Sequence, residues 1–186
     1  MLIYLQSQRP GLGSEIDKSV ISDITPQGYG FHHVSRHGKK GEGVALVYNS
    51  NLEVKSIRNE DQWSNFELLE CSVTHRNAEF RIVVIYLPPP SKNNNFRVSH
   101  FFEEFSSFIQ KVANSPHELI ITGDFNFHLD DPNDSNSRTF LEILDDHRLS
   151  QHVVGAAVVN FYFSMFTLVL CIYFFFFFFS YNFFFL

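Results

Sequence analysis

The sequence predicts an α/β fold of the α+β kind, and three observations carry that prediction. Short β-branched runs bounded by turn residues recur up to Thr122, a long amphipathic stretch separates the last two of them, and a second helical stretch follows. The strands are expected at Val44–Tyr48, Leu52–Ile57, Phe66–Thr74, Phe80–Tyr86 and Leu119–Thr122. Asn49-Ser50-Asn51 supplies a turn between the first two, and His75-Arg76-Asn77-Ala78 joins a hairpin between the next pair. Phe96–Ala113 reads as a helix because Val98, Phe101, Phe105, Phe108 and Val112 fall on one stripe. Asn94 or Asn95 is placed to cap its start, and Asn114-Ser115-Pro116 ends it. Thr139 with Glu142 has capping-box spacing, which predicts a second helix from Thr139 to about His147. The layout is βαβ-like with an antiparallel flavour.

Composition divides the chain into a front and a back. After Arg148 no Lys, Arg, Asp or Glu occurs through Leu186, and 12 of the 23 phenylalanines lie in this stretch, six of them consecutively at Phe174–Phe179. The organisation predicted is a domain over residues 1–152 and a charge-free, Phe-rich tail over residues 153–186. Val158–Phe179 is long enough to cross a bilayer as a helix, since about 20 apolar residues suffice. The phenylalanine run also has the low complexity of translated non-coding sequence. Front and tail therefore predict an intracellular protein or, alternatively, one attached to a membrane through residues 153–186.

The formal charge of −6 argues against broad electrostatic wrapping of nucleic acid, which calls for a basic face. Arg36, His37, Lys39 and Lys40 form the one compact basic cluster, a solvated loop or a contact for a DNA backbone. Cys71 and Cys171 define neither a disulfide framework nor a zinc pattern. His32, His33 and His37 lack the cysteine or carboxylate company of a metal site. Asp130, Asp131 and Asp134 read as a solvated loop.

The chemistry concentrates in two segments. Leu119-Ile-Ile-Thr drives into Gly123 and then presents Asp124 and Asn126, two residues apart and so facing one way on an extended segment. A carboxylate and a carboxamide side by side suit phosphodiester chemistry, one taking a proton from water and the other holding water or phosphate. The same residues also favour a plain Asx-type turn, and both readings stand at this point. Upstream, Ile82–Ile85 has the continuous β-branched character of a strand buried on both faces. Tyr86 then arrives just before Pro88-Pro89-Pro90, where its phenol can donate to a phosphate oxygen or simply close the core.

Gly41-Glu-Gly-Val-Ala-Leu-Val-Tyr48, Phe66-Glu-Leu-Leu-Glu70, Ile85-Tyr-Leu-Pro88 and Thr122-Gly-Asp-Phe-Asn126, in this order, resemble the endonuclease/exonuclease/phosphatase superfamily. Within it they are similar to the endonuclease domain of LINE-type (non-LTR) retrotransposons. Gly28-Tyr-Gly-Phe31 and Leu149-Ser-Gln-His152 share the likeness, which covers about residues 15–155. The resemblance implies a partial four-layer α/β/β/α sandwich of the DNase I-like type, followed by an apolar C-terminal segment. It implies DNA nicking by Mg²⁺-dependent phosphodiester hydrolysis, with double-stranded DNA as partner. Asp124 would activate the water, Asn126 would position it or the phosphate, and Tyr86 would stabilise charge on the phosphate. The family's early Asn, its metal-holding Glu, its later Asp and its terminal Asp-His find no match. Glu15 and Glu42 are carboxylates outside any metal-binding segment, so the metal ligands stay unidentified. The reading that follows is an inactive fragment of such an endonuclease. The alternatives are another phosphoesterase of the superfamily and a non-catalytic membrane-attached protein.

Overall fold

The computed structural model describes residues 21, 25–35, 43–59, 61, 63–76, 78–90, 96–127, 129, 131, 133–151 and 168–172. Eight strands and two helices run along these residues: β1 (Tyr29–Ser35), β2 (Gly43–Asn49), β3 (Glu53–Ile57), β4 (Glu67–His75), β5 (Ala78–Tyr86), α1 (Val98–Ala113), β6 (Glu118–Asp124), α2 (Ser135–Asp146), β7 (Leu149–Gln151) and β8 (Leu168–Ile172). β1 and β2 form an antiparallel pair, and the other six strands form one sheet in the order β3-β4-β5-β6-β8-β7. Within it β5 and β6 are parallel, joined by α1, and the remaining pairings are antiparallel.

Alternation along the strands builds two cores on the two faces of the large sheet. Val83, Ile85 and Leu87 from β5 and its end meet Leu119 and Ile121 of β6 beneath the helices. There Phe101, Phe105, Phe108, Ile109 and Val112 of α1 and Phe140 and Leu144 of α2 are buried, so the predicted stripe is the face that packs. The opposite face gathers Leu69, Cys71 and Val73 of β4 and Ile82, Val84 and Tyr86 of β5 against Val44 and Leu46 of β2. The order is therefore helices, large sheet, small sheet, which gives three of the four predicted layers among the described residues. His32 of β1 ties the two sheets: its Nε2 lies 3.3 Å from the Val54 carbonyl oxygen and 3.2 Å from the Tyr48 hydroxyl. Cys71 is buried, and burial pushes its thiol up to about 12, which leaves it unreactive.

Several boundaries differ from the sequence reading. β1 was not anticipated, since Tyr29–Ser35 mixes histidines and glycine with few apolar residues. The turn at Asn49–Asn51 does not fold β2 onto β3 but passes the chain from the small sheet to the large one. The N-cap of α1 is Arg97, which makes no side-chain capping bond, while Asn94 and Asn95 lie outside the described residues. α2 begins four residues before Thr139. Asp134 caps it by accepting from the backbone N–H groups of Asn136 and Ser137 and from the Ser137 hydroxyl at 2.6 Å. Thr139 instead sits inside the helix, donating to the Ser135 carbonyl. A carboxylate with three donors outcompetes the capping box. Asp131 likewise accepts from the Asn133 N–H.

The tail brings the largest difference. Leu168–Ile172 is a strand, inserted between β6 and β7 and antiparallel to both. These five residues take their backbone partners from neighbouring strands, whereas a bilayer crossing would make Val158–Phe179 a helix; the remainder of that stretch lies outside the described residues. β6 thereby becomes an interior strand. Among the described residues, no helix is long and apolar enough to cross a membrane. The rest of the tail, the Arg36–Lys40 cluster, Glu15, Glu42 and Asp130 lie outside the described residues.

Candidate active site

The parallel pairing of β5 with β6 sets Tyr86 directly opposite Asp124, at the carboxyl ends of both strands. Open sheets leave a crevice at such ends, where a ligand meets side chains and not ladder bonds. Gly123 is what lets the strands close there. A Cβ at this position would stand 1.9 Å from the Ile85 carbonyl oxygen, so a larger residue would wedge β6 from β5. One more ladder bond, Leu87 N–H to the Asp124 carbonyl at 2.8 Å, extends the pairing past Tyr86. Pro88-Pro89-Pro90 then ends the strand, since proline has no N–H to give.

Asn126 reaches the site by a route the sequence reading did not foresee. The strand stops at Asp124, and Asn126 adopts a left-handed backbone with φ of 51°. Its N–H donates to Asp124 Oδ1 at 3.1 Å, and its Nδ2 donates to the Leu87 carbonyl at 2.7 Å. The segment is thus an Asx-type turn and also a clasp between the two strand ends. Phe125 and Phe127 hold the turn from below. Phe125 packs on Phe105 and Phe140, and Phe127 packs on Phe101, Phe102 and Phe140. The alternation Asp-Phe-Asn-Phe sends the polar pair to the strand ends and both rings into the helical core.

Asp124 and Tyr86 are buried, 6% and 4% exposed. Burial raises the Asp124 carboxyl above the ordinary carboxylate range, and the Asn126 N–H partly opposes that rise. Two further groups, both missed in the sequence, share this face. Glu67 lies opposite Tyr86 across the antiparallel β4–β5 pair, so Glu67, Tyr86 and Asp124 form one row over three strands. Both Glu67 carboxylate oxygens are shielded from solvent. Thr122, two residues before Asp124, is fully buried, with a hydroxyl that has no hydrogen-bond partner. The signal for Glu67 was its position two residues before Leu69 in Phe66-Glu-Leu-Leu-Glu70, which places it on the inner face. The start of β4 is fixed from the helix side: Glu104 accepts from the Ser64 hydroxyl at 2.5 Å and from the Ser64 and Asn65 N–H groups. Burial alone would raise Glu104, but these donors hold it below the usual carboxylate value.

The row does not by itself fit the Mg²⁺ that the resemblance implies. Glu67 and Asp124 stand on strands two apart, roughly 10 Å at the backbone, with Tyr86 between them. Mg²⁺–oxygen bonds of about 2.1 Å ask carboxylates to converge far more closely. Among the described residues no group of three or more His, Cys, Asp or Glu is placed to hold a metal ion.

A two-sheet sandwich with a tyrosine and a Gly-Asp-x-Asn turn at the ends of parallel strands defines a class. The model of the Endonuclease/Exonuclease/phosphatase family matches residues 7–185, and the chain belongs to that family. The match is wider than residues 15–155, where the motifs lie, and takes in most of the tail. Among solved structures, the endonuclease domain of TRAS1, a telomere-specific non-LTR retrotransposon, is similar with a TM-score of 0.58 and 18% identity, over 78% of this chain and 66% of that one. A mannosyl-6-phosphatase of Bacteroides thetaiotaomicron is similar with a TM-score of 0.54 and 17% identity, over 83% and 66% of the two chains. Humanized D. rerio TDP2 follows with a TM-score of 0.51 and 13% identity, over 87% and 67%. At these identities the likeness is one of fold. The chain spans just under two thirds of the length of the first two. No curated protein sequence matches it.

Proposed function

We propose that the row at the ends of β5 and β6 is a phosphodiester site of the DNA-endonuclease type, with Tyr86, Asp124 and Asn126 as its working residues and double-stranded DNA as its substrate class. The observation that carries this reading is the in-register pair Tyr86–Asp124, clasped by Asn126. In the proposed mechanism the Tyr86 phenol donates to a non-bridging phosphate oxygen. The Asp124 carboxylate accepts a proton from the attacking water, and its raised affinity for protons makes it a better base than an exposed aspartate. Asn126 fixes one carboxylate oxygen through its N–H and leaves the other for the water. A divalent ion such as Mg²⁺, which the family generally requires, would stabilise charge on the phosphate oxygens. Because the described carboxylates do not converge on one ion, hydrolysis by this chain is proposed to be slow or absent, as for an inactive relative of a non-LTR retrotransposon endonuclease. The same reading keeps residues 1–152 as the family domain and residues 153–186 as an apolar extension, part of which pairs with β6.

The test is nicking of supercoiled plasmid by the full chain with Mg²⁺, beside Asp124→Ala, together with NMR titration by dimethyl phosphate. Perturbation of the Tyr86 and Asp124 signals without nicking above Asp124→Ala is the expected result. Nicking that disappears in Asp124→Ala would keep the site but overturn the slow turnover. Nicking equal in both proteins, or a diester that leaves these signals unmoved, would overturn the site.

A further inference from the structure

With a formal charge of −6 the chain as a whole repels DNA, so cations placed locally must hold the backbone on either side of the phosphate at the site. Among the described residues, Lys55, Arg81 and Lys111 are engaged by Glu53, Glu70 and Asp61. The other described arginines, Arg58, Arg76, Arg97, Arg138 and Arg148, are exposed.

The topology sorts these five between the two ends of the large sheet. β3 and β5 are both antiparallel to β4, so the chain leaves β3 through Arg58 at the end where β5 and β6 present the site. α1 runs from the carboxyl end of β5 to the amino end of β6, so its first residues stand at the site end too. Arg97 lies one turn before Phe101 and Phe102, whose rings are 5.7 and 5.6 Å from that of Phe127, the neighbour of Asn126. It occupies the N-cap of α1 without a side-chain capping bond, so its guanidinium is not committed to the helix. Arg138 begins α2 at this end as well, but Asp131 and Asp134 come just before it and offset its charge. Arg76, in the β4–β5 hairpin, and Arg148, just before β7, lie at the opposite end.

Arg58 and Arg97 therefore flank the Asp124–Asn126 turn, one from the β3 side and one from the helical side. β3 stands three strands from β6, roughly 14 Å at the backbone. Phosphates on one DNA strand follow each other at a rise of about 3.4 Å, so about four nucleotides cover that distance. We infer that Arg58 and Arg97 form a two-armed contact to the DNA backbone, each holding a phosphate that flanks the one at Asp124. Guanidinium meets phosphate through paired N–H donors and reads no base, so the two arms fix where the duplex lies and not which sequence it has. The inference rests on the proposed function for the central phosphate.

The test is the salt dependence of binding to a fluorescein-labelled DNA duplex, measured by anisotropy with the full chain and without metal. Wild type is compared with Arg58→Gln, Arg97→Gln and the double variant, and dimethyl phosphate is titrated into each by NMR. The slope of log K against log salt is expected to shrink by about 0.9 for each lost arginine and by about 1.8 in the double variant. Arg58→Lys and Arg97→Lys are expected to keep the wild-type slope. So is Arg76→Asn, which removes a charge at the far end and suits the left-handed backbone there, φ 49°. Dimethyl phosphate is too small to reach either arm, and its effect on the Asp124 and Asn126 signals is expected to be the same in every variant. An unchanged slope in the double variant, an equal loss in Arg76→Asn, or no duplex binding by a wild type whose Asp124 and Asn126 signals respond to dimethyl phosphate would overturn the inference and leave the site standing. Dimethyl phosphate that moves neither signal in wild type would bring down the proposed site and the inference with it.

Discussion

The two faces of the large sheet are built from the same strands and do opposite work. Toward the helices, side chains from β5, β6, α1 and α2 form a core dominated by aromatic rings, Phe101, Phe105, Phe108, Phe125 and Phe140, stacked and edge-on. Toward the small sheet the residues alternating with them begin as Val, Ile, Leu and Cys but end as Thr122, Tyr86, Glu67 and Asp124. Buried polar groups oppose folding unless they find partners. The face whose strand ends carry the buried polar row is therefore stabilised by the apolar face behind it. Reading a strand as a single unit hides this division; reading alternate residues shows it.

The comparison makes its sharpest claim at Phe105, fully buried and in ring contact with Phe66, Phe101, Phe125 and Phe140. Phe105→Ala should lower stability by about 3–5 kcal/mol in denaturant titration. Whatever fraction stays folded should still bind dimethyl phosphate as wild type does. A loss under about 1 kcal/mol would mean that the helical face does not hold the sheet together. Gly123→Ala comes next, at about 1–3 kcal/mol for an overpacked contact. Here the two faces should respond together, because parting Ile85 from residue 123 also parts Tyr86 from Asp124. Unchanged diester affinity in Gly123→Ala would show that this strand contact does not set the site. Asp134→Ala should cost about 1 kcal/mol through its cap, again leaving diester binding unchanged.

How far the sequence disclosed these two faces differs in the same way. β2 to β6 and the stripe of α1 were legible because periodicity is a local property of the chain, and their ends shifted by two residues or fewer. Tyr86, Asp124 and Asn126 were legible as motif residues, but their relation was not. That Tyr86 stands opposite Asp124 follows from a pairing between segments 38 residues apart, and no local pattern encodes it. Glu67 was lost for the same reason: it joins the row only through the β4–β5 register. The start of α2 was misplaced because two capping signals compete within five residues, and three donors converging on Asp134 decide the contest. β8 was illegible because its composition suits helix in lipid and strand in a sheet equally. Only the open edge of β6 favours the strand.

The smallest expected effect is a gain. Asp124 keeps its proton to a higher pH in the folded chain than in the unfolded one, because burial disfavours the charge more than the Asn126 N–H favours it. Between the ordinary aspartate value of 3.8 and that raised value the folded state binds more protons, so its stability falls as pH rises through the window. Above the window the wild type holds a buried charge with Glu67 and Tyr86 as the titratable neighbours in its row. Asp124→Asn removes the charge and keeps a side-chain oxygen for the Asn126 N–H. It should therefore melt slightly above wild type at pH 7, by less than Asp134→Ala loses, and the difference should close as pH falls below 3.8. Thermal melts of both proteins across pH 3 to 8 read this directly. Asp124→Asn melting below wild type at every pH would mean that the carboxylate at this strand end stabilises the fold. The inner face would then contribute to stability as the helical face does, and the division between the two faces would fail at Asp124.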